Sequence, residues 1–176
     1  MERRLVPLSR DCPARLVPVG TPIVIPRNTF VTLTQSLGGT YTVVFQGKMA
    51  RIDGADADAL GFEVELPTYA PRADGRIDAD QVHAALASVF DPEIPVNIVD
   101  LGLVYGCAVD DATGAVRVTM TLTSAGCGMG PVLVAEVKSR VSRVPNVKSV
   151  DVDLVFDPPW SRDMMSEEAQ LELGLF

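Results

Sequence analysis

Between Asp78 and Phe156 the spacing of apolar residues changes from that of a helix to that of strands, back to a helix and finally to a strand. That order leaves few folds open. Val82, Ala85, Leu86, Val89 and Phe90 fall at i, i+3, i+4, i+7 and i+8, the stripe of an amphipathic helix. Asp78 with Gln81 forms a capping-box variant at its start, and Asp91-Pro92 ends it, because a residue before proline is pushed out of the helical region. Leu101, Leu103, Tyr105, Cys107 and Val109 then alternate with smaller residues, and Asp110-Asp111-Ala112-Thr113-Gly114 turns the chain into Val116, Val118, Met120 and Leu122. This reads as a hairpin with Cys107 on its core face. Pro131 suits a first helical turn, Val134, Val137, Val141 and Val144 give that helix its stripe, and Pro145-Asn146 breaks it. Val150, Val152, Leu154 and Phe156 alternate with Asp151 and Asp153 in a last strand. A strand–helix–strand return is expected to be a right-handed crossover, which makes the last strand parallel to the one before the helix. The expected fold is α+β: an α-β-β-α-β domain with a mixed three-stranded sheet under one layer of helices.

A small, mostly-β domain is expected to precede it. Alternation in Phe30-Val31-Thr32-Leu33-Thr34-Gln35 and Tyr41-Thr42-Val43-Val44-Phe45 reads as strands, with Gly38-Gly39 able to take the positive φ of a tight turn. Segments around Met49 to Ile52 and at Phe62-Glu63-Val64-Glu65-Leu66 read as further strands, and Pro18, Pro22 and Pro26 suggest edges and turns. The expected division is a β domain over 1–66, a proline-containing linker over 67–75, the α/β domain over 76–157 and a tail over 158–176. The tail carries a short helix capped by Ser166.

A hydrophobic share of 47% against 22% charged residues argues for a folded globular chain. A net charge of -8, with no Lys/Arg-rich run, disfavours nucleic acid as a partner. No apolar run approaches the roughly 18 residues of a membrane span, and Pro7 interrupts any signal-peptide core. The expected location is cytoplasmic. Cys12, Cys107 and Cys127 are widely spaced and odd in number, unlike a disulfide framework.

The chemistry concentrates in Thr121-Leu122-Thr123-Ser124-Ala125-Gly126-Cys127-Gly128-Met129-Gly130-Pro131, between a strand and a helix start. Unpaired amides and the positive end of a helix dipole stabilise a thiolate there, which makes Cys127 a candidate nucleophile or soft-metal ligand. The same spacing also fits a thiol packed as a small hydrophobe. Asp91-Pro92-Glu93-Ile94-Pro95-Val96-Asn97-Ile98-Val99-Asp100-Leu101-Gly102 brings carboxylates into one loop. It reads either as turn chemistry or as a means for Glu93 or Asp100 to accept the Cys127 proton or supply an oxygen ligand to iron. His83, within the first helix, reads as a solvated or half-buried side chain rather than a partner of Cys127. Without a CxxC pair or a His/Cys cluster, one chain does not supply four closely spaced metal ligands.

Three segments carry a resemblance: Asp91-Pro92-Glu93-Ile94-Pro95-Val96-Asn97-Ile98-Val99-Asp100-Leu101-Gly102-Leu103, the Gly126-Cys127 loop, and Asp157-Pro158-Pro159-Trp160. Together they resemble the SufT/PaaD-like family of iron–sulfur maturation proteins, over residues 78–176. The β region around Thr32-Leu33-Thr34-Gln35 to Val43 resembles the extra N-terminal region of SufT. The resemblance implies a non-catalytic accessory factor that transiently binds iron or an iron–sulfur cluster through Cys127 and aids its delivery. Glu93 and Asp100 carry over as motif positions, and client and scaffold proteins as partners. Many relatives have proline directly after the cysteine; this chain has Gly128 there. One loop cysteine of this kind per chain, Cys127, implies a cluster shared with a second subunit, as in a homodimer, or with the client. Two other classes remain open: a metal-free adaptor using Trp160, Met164 and Met165, and a thiol enzyme with Cys127 as nucleophile.

Overall fold

A computed structural model of the 176-residue chain describes residues 3–37, 39–91, 94–123 and 130–174. The chain divides into two compact units, Met1–Thr68 and Tyr69–Phe176.

The first unit is a six-stranded antiparallel sheet of β1 (Arg4–Pro7), β2 (Cys12–Val17), β3 (Pro22–Ile25), β4 (Phe30–Leu37), β5 (Thr40–Phe45) and β6 (Lys48–Asp53). Their order in the sheet is β1-β4-β5-β6-β2-β3. One face buries Val6, Cys12, Ile25, Val31, Val43, Ala50 and Ile52. Phe62-Glu63-Val64-Glu65-Leu66 is not the strand its alternation suggests. The chain leaves β6 through a 3-10 helix, Gly54–Leu60, after which Phe62 stacks on Tyr41 with ring centroids 5.5 Å apart and Val64 lies exposed. Gly54 is required at that exit, because a Cβ there would strike the Gly39 carbonyl oxygen.

The second unit has the order α1 (Ala79–Leu86), β7 (Val104–Asp110), β8 (Ala115–Met120), α2 (Gly130–Ser142), β9 (Ser149–Leu154) and α3 (Glu167–Glu172). The Asp78 carboxylate caps α1 by accepting from the amides of Asp80 and Gln81. The sheet β7-β8-β9 is mixed, antiparallel between β7 and β8 and parallel between β8 and β9, so the expected α+β fold is the observed one. Val116, Val118 and Met120 of the central strand are fully buried in a core with Val82, Leu86, Leu133, Val137 and Val141. The stripe of α2 is rotated from the one its valines suggest: Val132, Leu133, Val137 and Val141 point inward with Glu136 and Arg140, while Val134 is only half-buried.

Cys107 departs from the core position its alternation implies. It sits opposite Val118, whose side chain is wholly buried, yet the Cys107 residue is exposed. The cause is the edge: β7 has a neighbour on one side only, and cover thins toward the sheet margin.

Candidate functional site

Because β8 and β9 run parallel, both finish at the end of the sheet where α2 begins. The Val155 amide donates to the Met120 carbonyl, keeping the strand ends in register. Gly130, the first residue of α2, is buried against Leu122 and Leu154, whose methyls a Cβ would meet at 3.2 and 3.4 Å. The helix start is thereby pressed onto the strand ends. An α-helix leaves its first amides without carbonyl partners, so this end of the unit carries positive partial charge. Cys127 lies three residues before Gly130 in the chain. Cys127 and Glu93 fall outside the described residues.

Asp100 is described, in a loop knit by its own backbone. The Ile98 amide donates to the Val89 carbonyl and the Leu103 amide to the Ile98 carbonyl. Asn97 organises the turn: its side-chain oxygen accepts from the amides of Val99 and Asp100 at 3.0 Å each, and its Nδ2 donates to the Asp100 carboxylate at 2.7 Å. Asp91, which the sequence suggests only as a helix terminator, is buried and accepts from the Ile94 amide. Val96, Ile98, Leu101 and Leu103 send their side chains into the core, so core packing fixes the loop. The far end of the loop meets the strand that leads toward Cys127, where the Thr121 amide donates to the Leu103 carbonyl at 2.8 Å. Thr121 is itself buried, and its hydroxyl has no hydrogen-bond partner among the described residues.

The tail closes over this loop. Trp160 Nε1 donates to the Leu101 carbonyl at 2.7 Å, the Ser166 amide to the Asp100 carbonyl at 2.8 Å, and the Tyr105 hydroxyl to the Pro158 carbonyl at 2.8 Å. Met165 and Ala169 are buried in the same core. Sequence reasoning isolated Trp160 and Met165 but not these bonds; the Asp157-Pro158-Pro159-Trp160 motif was the available signal.

His83 is exposed on α1. Among the described residues no group of three or more His, Cys, Asp and Glu side chains could hold a metal ion. Cys12 is fully buried, and desolvation, with a smaller push from Asp56, raises its thiol to about 11. Partial desolvation raises the Cys107 thiol as well, although the residue is exposed. Iodoacetamide is therefore expected to alkylate Cys107 in the native chain, faster as rising pH forms thiolate, and to spare Cys12 until the chain unfolds. Peptide mass mapping checks this, and labelling of Cys12 at native pH would contradict it. No described helix is long and apolar enough to cross a membrane.

A family model described as iron-sulfur cluster assembly protein matches residues 79–154. A Porphyromonas gingivalis protein named Fe-S protein maturation auxiliary factor is 53% identical over 89 residues, 51% of this chain and 84% of that protein. The Staphylococcus aureus protein named Fe-S protein maturation auxiliary factor SufT is 47% identical over 87 residues, 49% of this chain and 98% of that protein. Among solved structures, a domain of unknown function from Bacillus anthracis matches with a TM-score of 0.52 at 42% identity, covering 55% of this chain and 92% of that one.

Proposed function

The chain belongs to the iron–sulfur cluster assembly protein family, and on that premise we propose that it is an accessory factor of iron–sulfur protein maturation. In this reading Cys127 takes up iron or a cluster as transient cargo and passes it to client proteins. The work falls to residues 76–157, with 158–176 as a supporting tail. The factor is not an enzyme: it changes the cargo's location and leaves its bonds to be remade on the client.

The observation that supports this most is the bond between Thr121 and Leu103, which ties the Asp100 loop to the strand running into the Cys127 segment. A thiolate is a soft ligand, and a carboxylate adds a hard oxygen donor suited to iron. Glu93 belongs to the same loop and is proposed for the same role. Clusters are held by sets of four ligands, most often thiolates. One Cys127 per chain therefore calls for sharing, between two copies of the chain or with a scaffold or client. The adaptor reading loses its main motive, since Trp160 and Met165 are engaged with the chain's own loop and core.

The test is made in cells that lack the chain. Cys127→Ala, expressed at the parent's level, is expected to leave client iron–sulfur enzymes as inactive as in the empty strain. Client activity equal to that given by the parent chain would overturn carriage through this thiol.

A further inference from the structure

The two sheets have four strands with a neighbour on one side only: β1 and β3 in the first unit, β7 and β9 in the second. Such an edge presents a row of unpaired backbone N–H and C=O groups, which proteins blunt with charges, prolines or bulges. β1 carries Arg4 and ends in Pro7, β3 starts at Pro22 with Pro26 directly after it, and β9 carries Asp151 and Asp153. β7 is different. It reads Val104-Tyr105-Gly106-Cys107-Ala108-Val109-Asp110, with no proline, a charge at its last residue only, and a register shift confined to its start, between Val104 and Gly106. Apart from the turn bond from the Gly114 amide to the Asp110 carbonyl, no backbone bond among the described residues reaches β7 from outside β8. Tyr105 meets the tail at its hydroxyl, the tip of a side chain that stands out of the sheet plane. Cys107 and Ala108, at the middle of the strand, are both exposed, although Cys107 pairs with the wholly buried Val118. The core face is thus left uncovered at the margin where the edge is least protected.

We propose that β7 is a contact surface for a second copy of this chain, the two strands pairing antiparallel about a two-fold axis at Cys107. The pairing joins two three-stranded sheets into one of six strands. A strand without charges along its length meets its own copy without repulsion, whereas β9 would set Asp151 and Asp153 against one another. Centred on Cys107, Tyr105 lies opposite the partner's Val109, an aromatic against a β-branched side chain, which stabilises paired strands. Asp110 is then about 20 Å from its own copy, beyond the reach of screened repulsion. Seven residues a side fall well short of the roughly 20–30 of a standard interface, so the contact is weak and forms only at high concentration. The net charge of -8 on each chain repels at long range, so salt strengthens the pairing. None of this rests on the cargo reading. Antiparallel pairing sends the two α2 starts to opposite ends of the joined sheet, so a pair bridged by a cluster is a separate contact.

The experiment is sedimentation of the full, metal-free chain under reducing conditions, from micromolar to millimolar concentration. The mean mass of the parent is expected to rise toward twice that of one chain, and to rise further with added salt. Cys107→Ser is expected to match the parent. Cys107→Lys places like charges directly across the axis and is expected to weaken association at least roughly fivefold, the scale of one unfavourable cross-strand pair. A second measurement is capture by diamide, which takes up the two hydrogens of two thiols as they join in a disulfide. Residues directly opposite have Cα atoms about 4.5–5.5 Å apart, within the roughly 4.4–6.8 Å that a disulfide spans. Cys127→Ala is therefore expected to link Cys107 to Cys107 of a second chain at least about tenfold faster than a chain carrying Cys127→Ala, Cys107→Ser and Asp110→Cys links at position 110. Capture needs no lysine at the edge, so it decides the matter even if Cys107→Lys does not fold. A parent that stays a single chain at millimolar concentration, a folded Cys107→Lys that associates like Cys107→Ser, association that falls with salt, or equal capture at positions 107 and 110 would each overturn the proposal.

Discussion

Replacing Gly102 with alanine is expected to destabilise the second unit by roughly 3 kcal/mol and to release the tail from the Asp100 loop. Gly102 sits at φ +78°, a left-handed conformation that costs an L-residue about 1–2 kcal/mol. Space is the second obstacle, because the added methyl would meet the Met164 carbonyl group and the Met164 Cβ, the latter at 2.8 Å. Backbone on both sides leaves no flexible side chain to yield. The tail must lift, and the bonds from Ser166 to Asp100 and from Trp160 to Leu101 go with it, each worth about 1 kcal/mol net. For a unit of this size the melting temperature should fall by roughly 10–20 °C. Trp160 is the only tryptophan in the chain, so its emission reports the lift directly and should shift to the red. Gly106→Ala is the control, since a Cβ there meets nothing within 4 Å and no positive φ is involved. Equal melting of the two variants would show that the tail does not bear on the loop as described.

The difference between local and distant signals explains what the sequence could tell. α1, the β7–β8 hairpin, α2 and β9 are each written in a run of apolar spacing, and the capping carboxylate of Asp78 marks the start of α1. Periodicity fails where burial comes from a neighbour far along the chain. Leu101 and Leu103 alternate like strand residues, yet they are core residues of a loop, turned inward by the hydrogen bonds around Asn97; β7 begins only at Val104. Cys107 pairs with the buried Val118 beyond a register shift between Val104 and Gly106 and still lies exposed, because alternation says which face a residue takes and not whether that face is covered at an edge. Phe62 finds its partner in Tyr41, and the chain around it needs no strand to do so.

The candidate site divides along the same line. Asp100 and Cys127 stand out in the sequence by residue type and by the turns that surround them. The contact that ties the tail to this loop, Trp160 to Leu101, spans 59 residues and has no periodic trace. The first unit adds a different kind of information. The Staphylococcus aureus relative is spanned at 98% by an 87-residue match, which leaves no length for a second unit such as Met1–Thr68. The family's shared activity is therefore to be sought in the second unit. The first has its own core of Val31, Val43 and Ile52 to specify it.

Anaerobic reconstitution with iron and sulfide is expected to leave colour and bound iron on the parent chain after desalting, and at least about tenfold less on Cys127→Ala. The size of that effect follows from ligand count: a cluster bridging two chains through one thiolate each has no protein sulfur left when that thiol is removed. Bridging also predicts that the reconstituted parent elutes at twice the mass of the apo chain, and that it returns to the smaller size when a chelator strips the iron. The decisive companion is Cys107→Ser. Cys107 is the exposed thiol among the described residues, whereas Cys12 is buried and held protonated by its surroundings. If iron were retained by any accessible sulfur, Cys107→Ser would lose it as Cys127→Ala does. Retention by Cys107→Ser with loss in Cys127→Ala assigns the cargo to the loop before α2. The reverse pattern would move the site to the edge of the sheet and away from Asp100.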